Sequence, residues 1–246
     1  VHGWYFRHAG NFDSKDSGLG TYRSYQNVLY RDITAINARI SGGQFNTSSL
    51  QTQSLPLVGV QLASDLSMLP WSMRSYAPVI ENVANTNALV RVFQNGQKIY
   101  EKTVPAGPFR ITDLTSCASG AMTLEITENG GEKKTYIIPV QNNMNLLKSG
   151  QKTFSIALGN YKTVEKLTDD SVLQGSYNYG LNNYLTFLSG INLTEDYQGV
   201  LLGAGLNTFF GGISIKANAS QATWLDQDYN GHKIALDYSY YFLRLK

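Results

Sequence analysis

The sequence predicts an all-β protein: part of a large transmembrane antiparallel β-barrel, interrupted by a compact β-sandwich. Three observations carry this expectation. Apolar residues recur at every second position through strand after strand, the alternate face is polar but uncharged, and a central stretch has a different texture. The 246 residues are 42% hydrophobic and 12% aromatic but only 15% charged, against roughly 25% charged in an ordinary soluble domain. Sixteen tyrosines and 23 glycines make up much of that difference.

Within the first third, strands are expected near residues 2–11, 23–33, 35–45 and 57–64, with rougher alternation than later in the chain. Arg7, Arg23, Arg31 and Arg39 fall inside them. An arginine facing lipid at mid-bilayer costs about 2–4 kcal/mol, which places these four on a water-filled interior or near the rims. The connection 46–56, rich in Ser, Thr and Gln, is expected to fold over something.

From about Tyr76 to Val140 Glu and Lys become frequent. Two tight hairpin signals appear, Gln94-Asn95-Gly96-Gln97 and Glu128-Asn129-Gly130-Gly131. Asn-Gly supplies the positive φ values that two-residue hairpins require. Short alternating runs at 89–93 and 122–126 flank them, and Pro78 and Pro139 mark the borders of an independent antiparallel sandwich.

The last third carries the clearest period of two. Phe154, Ile156 and Leu158 alternate with Ser155, Ala157 and Gly159; Val200, Leu202, Ala204 and Leu206 alternate with Gly203, Gly205 and Asn207. Ile213, Ile215, Ala217 and Ala219 alternate with Ser214, Lys216, Asn218 and Ser220, and Ile234, Leu236 and Tyr238 with Lys233, Ala235, Asp237 and Ser239. Successive side chains of a strand point to opposite faces. Soluble sandwiches also alternate, but their outward face is usually charged; Gly, Ser, Thr and Asn suit an aqueous lumen, with aliphatic residues toward lipid. Turns are expected at Asp169-Asp170, Asn182-Asn183, Glu195-Asp196 and over 226–231, since Asn and Asp tolerate the left-handed region and bond their own backbone.

Other features exclude function classes. A formal charge of +2 with no basic run argues against nucleic acid. No apolar stretch approaches the length of a membrane helix, which leaves strands as the only spanning elements. Cys117 is the sole cysteine, so neither an intrachain disulfide nor a thiolate metal site can form. His2, His8 and His232 share no ligand spacing, and the acidic pairs have no partner group at a defined distance. Catalytic, metal and cofactor residues are therefore expected to be none. The three Asn-X-Ser/Thr matches are chance in so Asn- and Ser-rich a chain. The chain opens in strand-like Val1-His2-Gly3-Trp4 and stops in strand-like sequence, as a piece of a longer protein would.

The central stretch resembles the plug (middle) domain of chaperone–usher outer-membrane ushers. The residues that carry the resemblance run in order. They begin at Gly59-Val60-Gln61-Leu62-Ala63-Ser64-Asp65, Met68-Leu69-Pro70 and Arg74-Ser75-Tyr76-Ala77-Pro78-Val79-Ile80. They continue through Ala84-Asn85-Thr86-Asn87-Ala88, Val90-Arg91-Val92-Phe93-Gln94-Asn95-Gly96 and Thr103-Val104-Pro105-Ala106-Gly107-Pro108-Phe109 to Ile111-Thr112-Asp113-Leu114. Leu146-Leu147-Lys148-Ser149-Gly150-Gln151 and residues 154–159 look like the family's return to the barrel. Cys117 and Trp71 depart from the pattern, both in expected loops.

The resemblance implies an Ig-like plug over residues 77–140, with barrel strands in 1–76 and 141–246. It implies plug linkers at Ser75, Tyr76, Ala77, Pro78, Pro139, Val140 and Gln141. The plug motif residues are Asn95, Gly96, Pro105, Gly107, Pro108, Phe109, Asp113 and Leu114. It further implies a Gram-negative outer-membrane channel that secretes and assembles fimbrial subunits. Its partners would be periplasmic chaperone–subunit complexes, the translocating subunits, outer-membrane lipid and a second usher copy. About ten of the family's roughly two dozen wall strands would be present, without the periplasmic terminal domains. The alternatives are a general porin or transporter barrel with an internal plug, and a soluble multi-sandwich adhesin.

Overall fold

The computed structural model describes residues 3–13, 20–49, 51–70, 79–112, 114, 120–140, 146–163, 167–208, 211–225 and 227–239. Among them are sixteen strands and two single turns of 3-10 helix. The first four strands are β1 (Tyr5–Asp13), β2 (Thr21–Ile33), β3 (Ala38–Asn46) and β4 (Pro56–Ser64). Six more follow: β5 (Ile80–Ala84), β6 (Ala88–Gln94), β7 (Gln97–Val104), β8 (Gly107–Ile111), β9 (Gly120–Glu128) and β10 (Lys133–Val140). The last six are β11 (Lys152–Lys162), β12 (Leu167–Gly180), β13 (Leu185–Leu193), β14 (Tyr197–Thr208), β15 (Gly211–Trp224) and β16 (Gln227–Ser239).

Ten strands make one antiparallel meander in the order β1-β2-β3-β4-β11-β12-β13-β14-β15-β16. Its decisive joint is between β4 and β11. These strands pair directly from Ala63 opposite Ser155 to Leu57 opposite Tyr161, although the whole insert separates them in the chain. Gly59 and Gly159 face each other at this joint, and a Cβ on Gly59 would stand 2.1 Å from the Leu158 carbonyl oxygen. Glycine there lets the two backbones approach closely.

The faces of this sheet differ as the alternation predicts. In β11 Ile156 and Leu158 are 51% and 54% exposed, while Ser155 and Ala157, which alternate with them, are buried. Leu202, Ile215 and Leu236 continue the apolar face; Gln174, Ser176, Asn178, Thr186 and Ser214 lie buried on the polar one. So many aliphatic side chains turned outward make a patch far larger than a soluble monomer exposes. Where this face is buried its side chains are uncharged, since an unpaired charge there would lose its hydration; Lys216, partly exposed, pairs with Asp237 at 3.1 Å.

The insert forms two further sheets, β10-β9-β6-β7 and β5-β8. In β6 Ala88, Val90 and Val92 point inward, where they meet Ile80, Phe109, Ile111, Leu114, Met122, Leu124 and Ile126 from both sheets. Each large aliphatic side chain buried in this way stabilises by about 1.5–3 kcal/mol. A second, smaller cluster of Val28, Phe45, Leu57, Ala157 and Val172 belongs to the ten-stranded sheet.

Two expected turns are corrected. Asp169 and Asp170 lie inside β12, which pairs with β11 from Leu167 onward. Gln227 is already opposite Trp224, so the β15–β16 connection occupies only positions 225 and 226, with Leu225 at φ 51°. In both places polar residues continue the strand, Asp169 and Asp170 at an irregular step of the pairing, and their polarity reads as loop. The expected turns at 182–183 and 195–196 do fall between strands. At the start of β3, residues 34–36 form a 3-10 turn that Asn37 ends at φ 49°.

Candidate channel lining and insert junction

The polar face is lined by uncharged side chains, some of which bond one another across neighbouring strands. Gln61 Nε2 donates to Ser155 Oγ at 3.3 Å, and Asn178 Nδ2 to Thr153 Oγ1 at 3.1 Å. The Ser64 hydroxyl lies at the seam between β4 and β11, where Phe154 N donates to it at 3.0 Å. Such groups hold water and bind nothing strongly, which suits a surface past which a bulky object moves.

The connection between β3 and β4 lies back over this face. Its neck is closed by Thr47 N donating to Leu55 O and Leu55 N to Thr47 Oγ1, both at 2.9 Å. Ser49 Oγ accepts from Thr52 N at 3.1 Å and shapes the tip. Gln174 Nε2, from β12, donates to Gln53 O at 2.9 Å. One strand further on, a Cβ at Gly190 would come within 3.0 Å of Thr52 Cγ2. The loop therefore reaches from its own hairpin as far as β13, and Gly190 leaves it room.

At the rim where the insert departs, three strands bring charges together. Arg39 Nε donates to Asp32 Oδ1 at 2.7 Å, and its Nη2 lies 3.2 Å from Asp65 Oδ2. The guanidinium carbon sits 4.6 Å from the centroid of the Tyr30 ring, and Tyr30 stacks on Tyr5 at 5.5 Å. Arg39 and Arg7 both line a cavity of about 320 Å³ with Tyr30, Gln61 and Asp65. Arg31 is on the opposite face, beside the turn that ends β2. His8 hydrogen-bonds Asn27 and Tyr22, a local network on β1 and β2.

Of the residues read as linkers, Ser75, Tyr76, Ala77, Pro78 and Gln141 lie outside the described residues, as does Asp113 of the motif. Pro139 and Val140 are the last residues of β10, opposite Ala121 and Gly120. They close the sandwich instead of following it, and a proline is tolerated because β10 is an edge strand. Asn95 and Gly96, at φ 52° and 78°, form a two-residue turn between β6 and β7.

Pro105 and Gly107 make the corner where the chain leaves the sheet of β7 for that of β8. Gly107 has φ 116°, and Ala106 N donates to Asn87 Oδ1 at 3.3 Å. Pro108 pairs opposite Val83, while Phe109 and Leu114 are core. Glu128, which reads in the sequence only as part of a hairpin turn, is buried. It accepts from Asn85 N at 3.3 Å and Lys134 Nζ at 3.1 Å, with Thr86 Oγ1 at 3.4 Å. The Lys134 ammonium, then these donors, hold its carboxyl below the usual carboxylate range. Among the described residues no three His, Cys, Asp or Glu side chains gather as a metal site.

The arrangement combines a continuous wall and an inserted sandwich with its own core. Compared with known families, residues 1–246 match the model for the outer membrane usher protein. The chain belongs to the outer-membrane usher family. It is 37% identical to the outer membrane usher protein HifC of Haemophilus influenzae over 97% of the chain, which spans 30% of that protein. The solved P pilus usher (PapC) translocation pore is 30% identical, with a TM-score of 0.54, covering 97% of this chain and 51% of that one. PapC in an E. coli P pilus tip assembly intermediate with PapD, PapK and PapG superposes with a TM-score of 0.62 at 28% identity, over 96% of this chain and 30% of that one. The usher chain thus spans about a third of its relatives' length. As a Gram-negative outer-membrane barrel segment it turns its aliphatic face to lipid and its polar face to the lumen.

Proposed function

We propose that this usher segment is the central part of a channel through which fimbrial subunits, delivered by a periplasmic chaperone, are secreted and assembled. Residues 77–140 act as a plug that closes the lumen at rest; residues 1–76 and 141–246 contribute wall. The direct pairing of β4 with β11 carries this reading. A wall that closes behind the insert does not need the insert for its own integrity, so the insert is free to move as a unit. The named composition of the P pilus intermediate, a usher with PapD, PapK and PapG, supports subunit handling as the task. The lining of Ser, Thr, Asn and Gln supports passage over catalysis, and we read no enzymatic role.

The test is deletion of residues 77–140 in the full-length protein, with the ends joined. The barrel should still insert and should conduct freely in planar bilayers, and the cells should become sensitive to large antibiotics. Low, unchanged conductance would mean that the insert is a surface or periplasmic binding module instead.

A further inference from the structure

We propose that Arg39 is a positioning residue that clamps the departing connection of the insert and so holds the channel closed. The inference rests on the plug reading above. Asp65 is the first residue beyond β4, and everything between the wall and the insert hangs from it. It is tied down three ways: its N donates to Asn37 O at 2.8 Å, its Oδ1 accepts from Ser67 N at 2.9 Å, and its Oδ2 meets Arg39. Arg39 itself cannot swing away freely. Asp32, directly opposite on β2, holds its Nε, and Tyr30 covers its plane. A planar guanidinium stacked on a ring holds two carboxylates in a fixed, directional geometry, which the point charge of an ammonium does not impose.

The returning connection is held differently. Leu146 and Leu147 are buried, Leu147 N donates to Thr186 Oγ1 at 3.0 Å, and Gly150 N to Gly180 O at 2.8 Å. Apolar burial and backbone bonds are insensitive to salt, whereas a half-exposed ion pair weakens as salt screens it. The departing connection thus adds a salt-sensitive ion pair to its backbone bond and is the more releasable of the two. Displacement of the plug begins at Asp65.

The experiment records spontaneous openings of the full-length usher in planar bilayers. Arg39→Gln and Asp65→Asn should each raise the open probability about three- to tenfold, the range expected for losing a half-exposed, charge-assisted contact. The double variant should do no more than Arg39→Gln alone, because Arg39→Gln already removes the contact that Asp65→Asn removes. Arg39→Lys should fall between. Wild-type openings should increase with ionic strength, and this dependence should be absent in both single variants. Unchanged openings in Arg39→Gln and Asp65→Asn, additive effects in the double variant, or retained salt dependence would each overturn the clamp. If Arg39→Gln fails to assemble, Asp65→Asn, which keeps the Arg39–Asp32 pair, decides alone. Deletion of residues 77–140 separates the two readings. If it leaves the channel closed, the plug itself is refuted; if it opens the channel and the point variants do not, only the clamp is.

Discussion

In β6 of the insert, Ala88, Val90 and Val92 point inward and are at most 2% exposed, while Arg91 between them reaches out to Glu101 at 2.7 Å and Glu125 at 3.8 Å. In β14 of the wall the order is inverted. Val200 and Leu202 point outward, and Gly199, Gly203 and Gly205 line the other side. Both strands have the same period, so periodicity identifies a strand without saying which face is wet. The company of the apolar residues decides. Opposite a face of Arg, Glu and Lys they are a core; opposite Gly, Ser and Asn they are the surface of something in lipid. Water solvates the charged face of the insert, where Lys133 pairs across the strands with Glu125 and Lys98 along its own strand with Glu101. No such row would survive on the outer face of the wall.

The largest effect that tests this difference is in the insert. Leu124→Ala removes a fully buried side chain from the sandwich core and should cost about 2–5 kcal/mol, read as a fall in the urea midpoint of residues 77–140 expressed alone as a soluble domain. Leu202→Ala, on the lipid face, should change barrel stability much less. Equal losses would mean that the outer face is packed against protein.

Somewhat smaller is the cost of charge on the wall. Arginine at Leu202, Ile215 or Leu236 should impair assembly by about 2–4 kcal/mol each, seen as loss of the heat-modifiable folded band. Arginine at Asn218 or Ser239, on the lumenal face, should be accepted. Gly203 is no fair control, because any Cβ there would approach Ile215 O to 2.7 Å. Similar damage on both faces would overturn the register.

Smallest is the acid response of the insert. The Glu128 carboxyl is held below its ordinary value of 4.5, first by Lys134. A carboxylate whose pKa is lowered by folding adds stability above its unfolded pKa and loses it as pH falls through the lower, folded value. The isolated insert should therefore lose stability below about pH 4.5, and Glu128→Gln should be less stable at neutral pH but flatter across that window. Lys134, held above its ordinary 10.5 by the same pair, adds stability below that value that disappears as pH rises through the raised one. An unchanged acid profile in Glu128→Gln would show that the pair does not couple to folding.

Much of this protein follows from the sequence alone because its signals are local. Alternation is a relation between residues two apart, and Asn95-Gly96 shows its turn without help from the rest of the chain. The polarity of the second face, which separates barrel from sandwich, is likewise legible in β14 and β15 one residue at a time. The ordered run from Gly59 to Leu114 identifies the family for the same reason, being contiguous. Tertiary structure alone decided that β4 meets β11, since the partners Ala63 and Ser155 are brought together across an entire inserted domain. It also decided the reach of the 47–55 loop to Gly190 and the gathering of Asp32, Arg39 and Asp65 from the ends of three strands. Asp169 and Gln227 read as turn residues but lie within strands, because a strand's end is set by its neighbour's backbone and not by its own side chains. Contacts of this kind depend on closure of the sheet, and no window of neighbouring residues contains them.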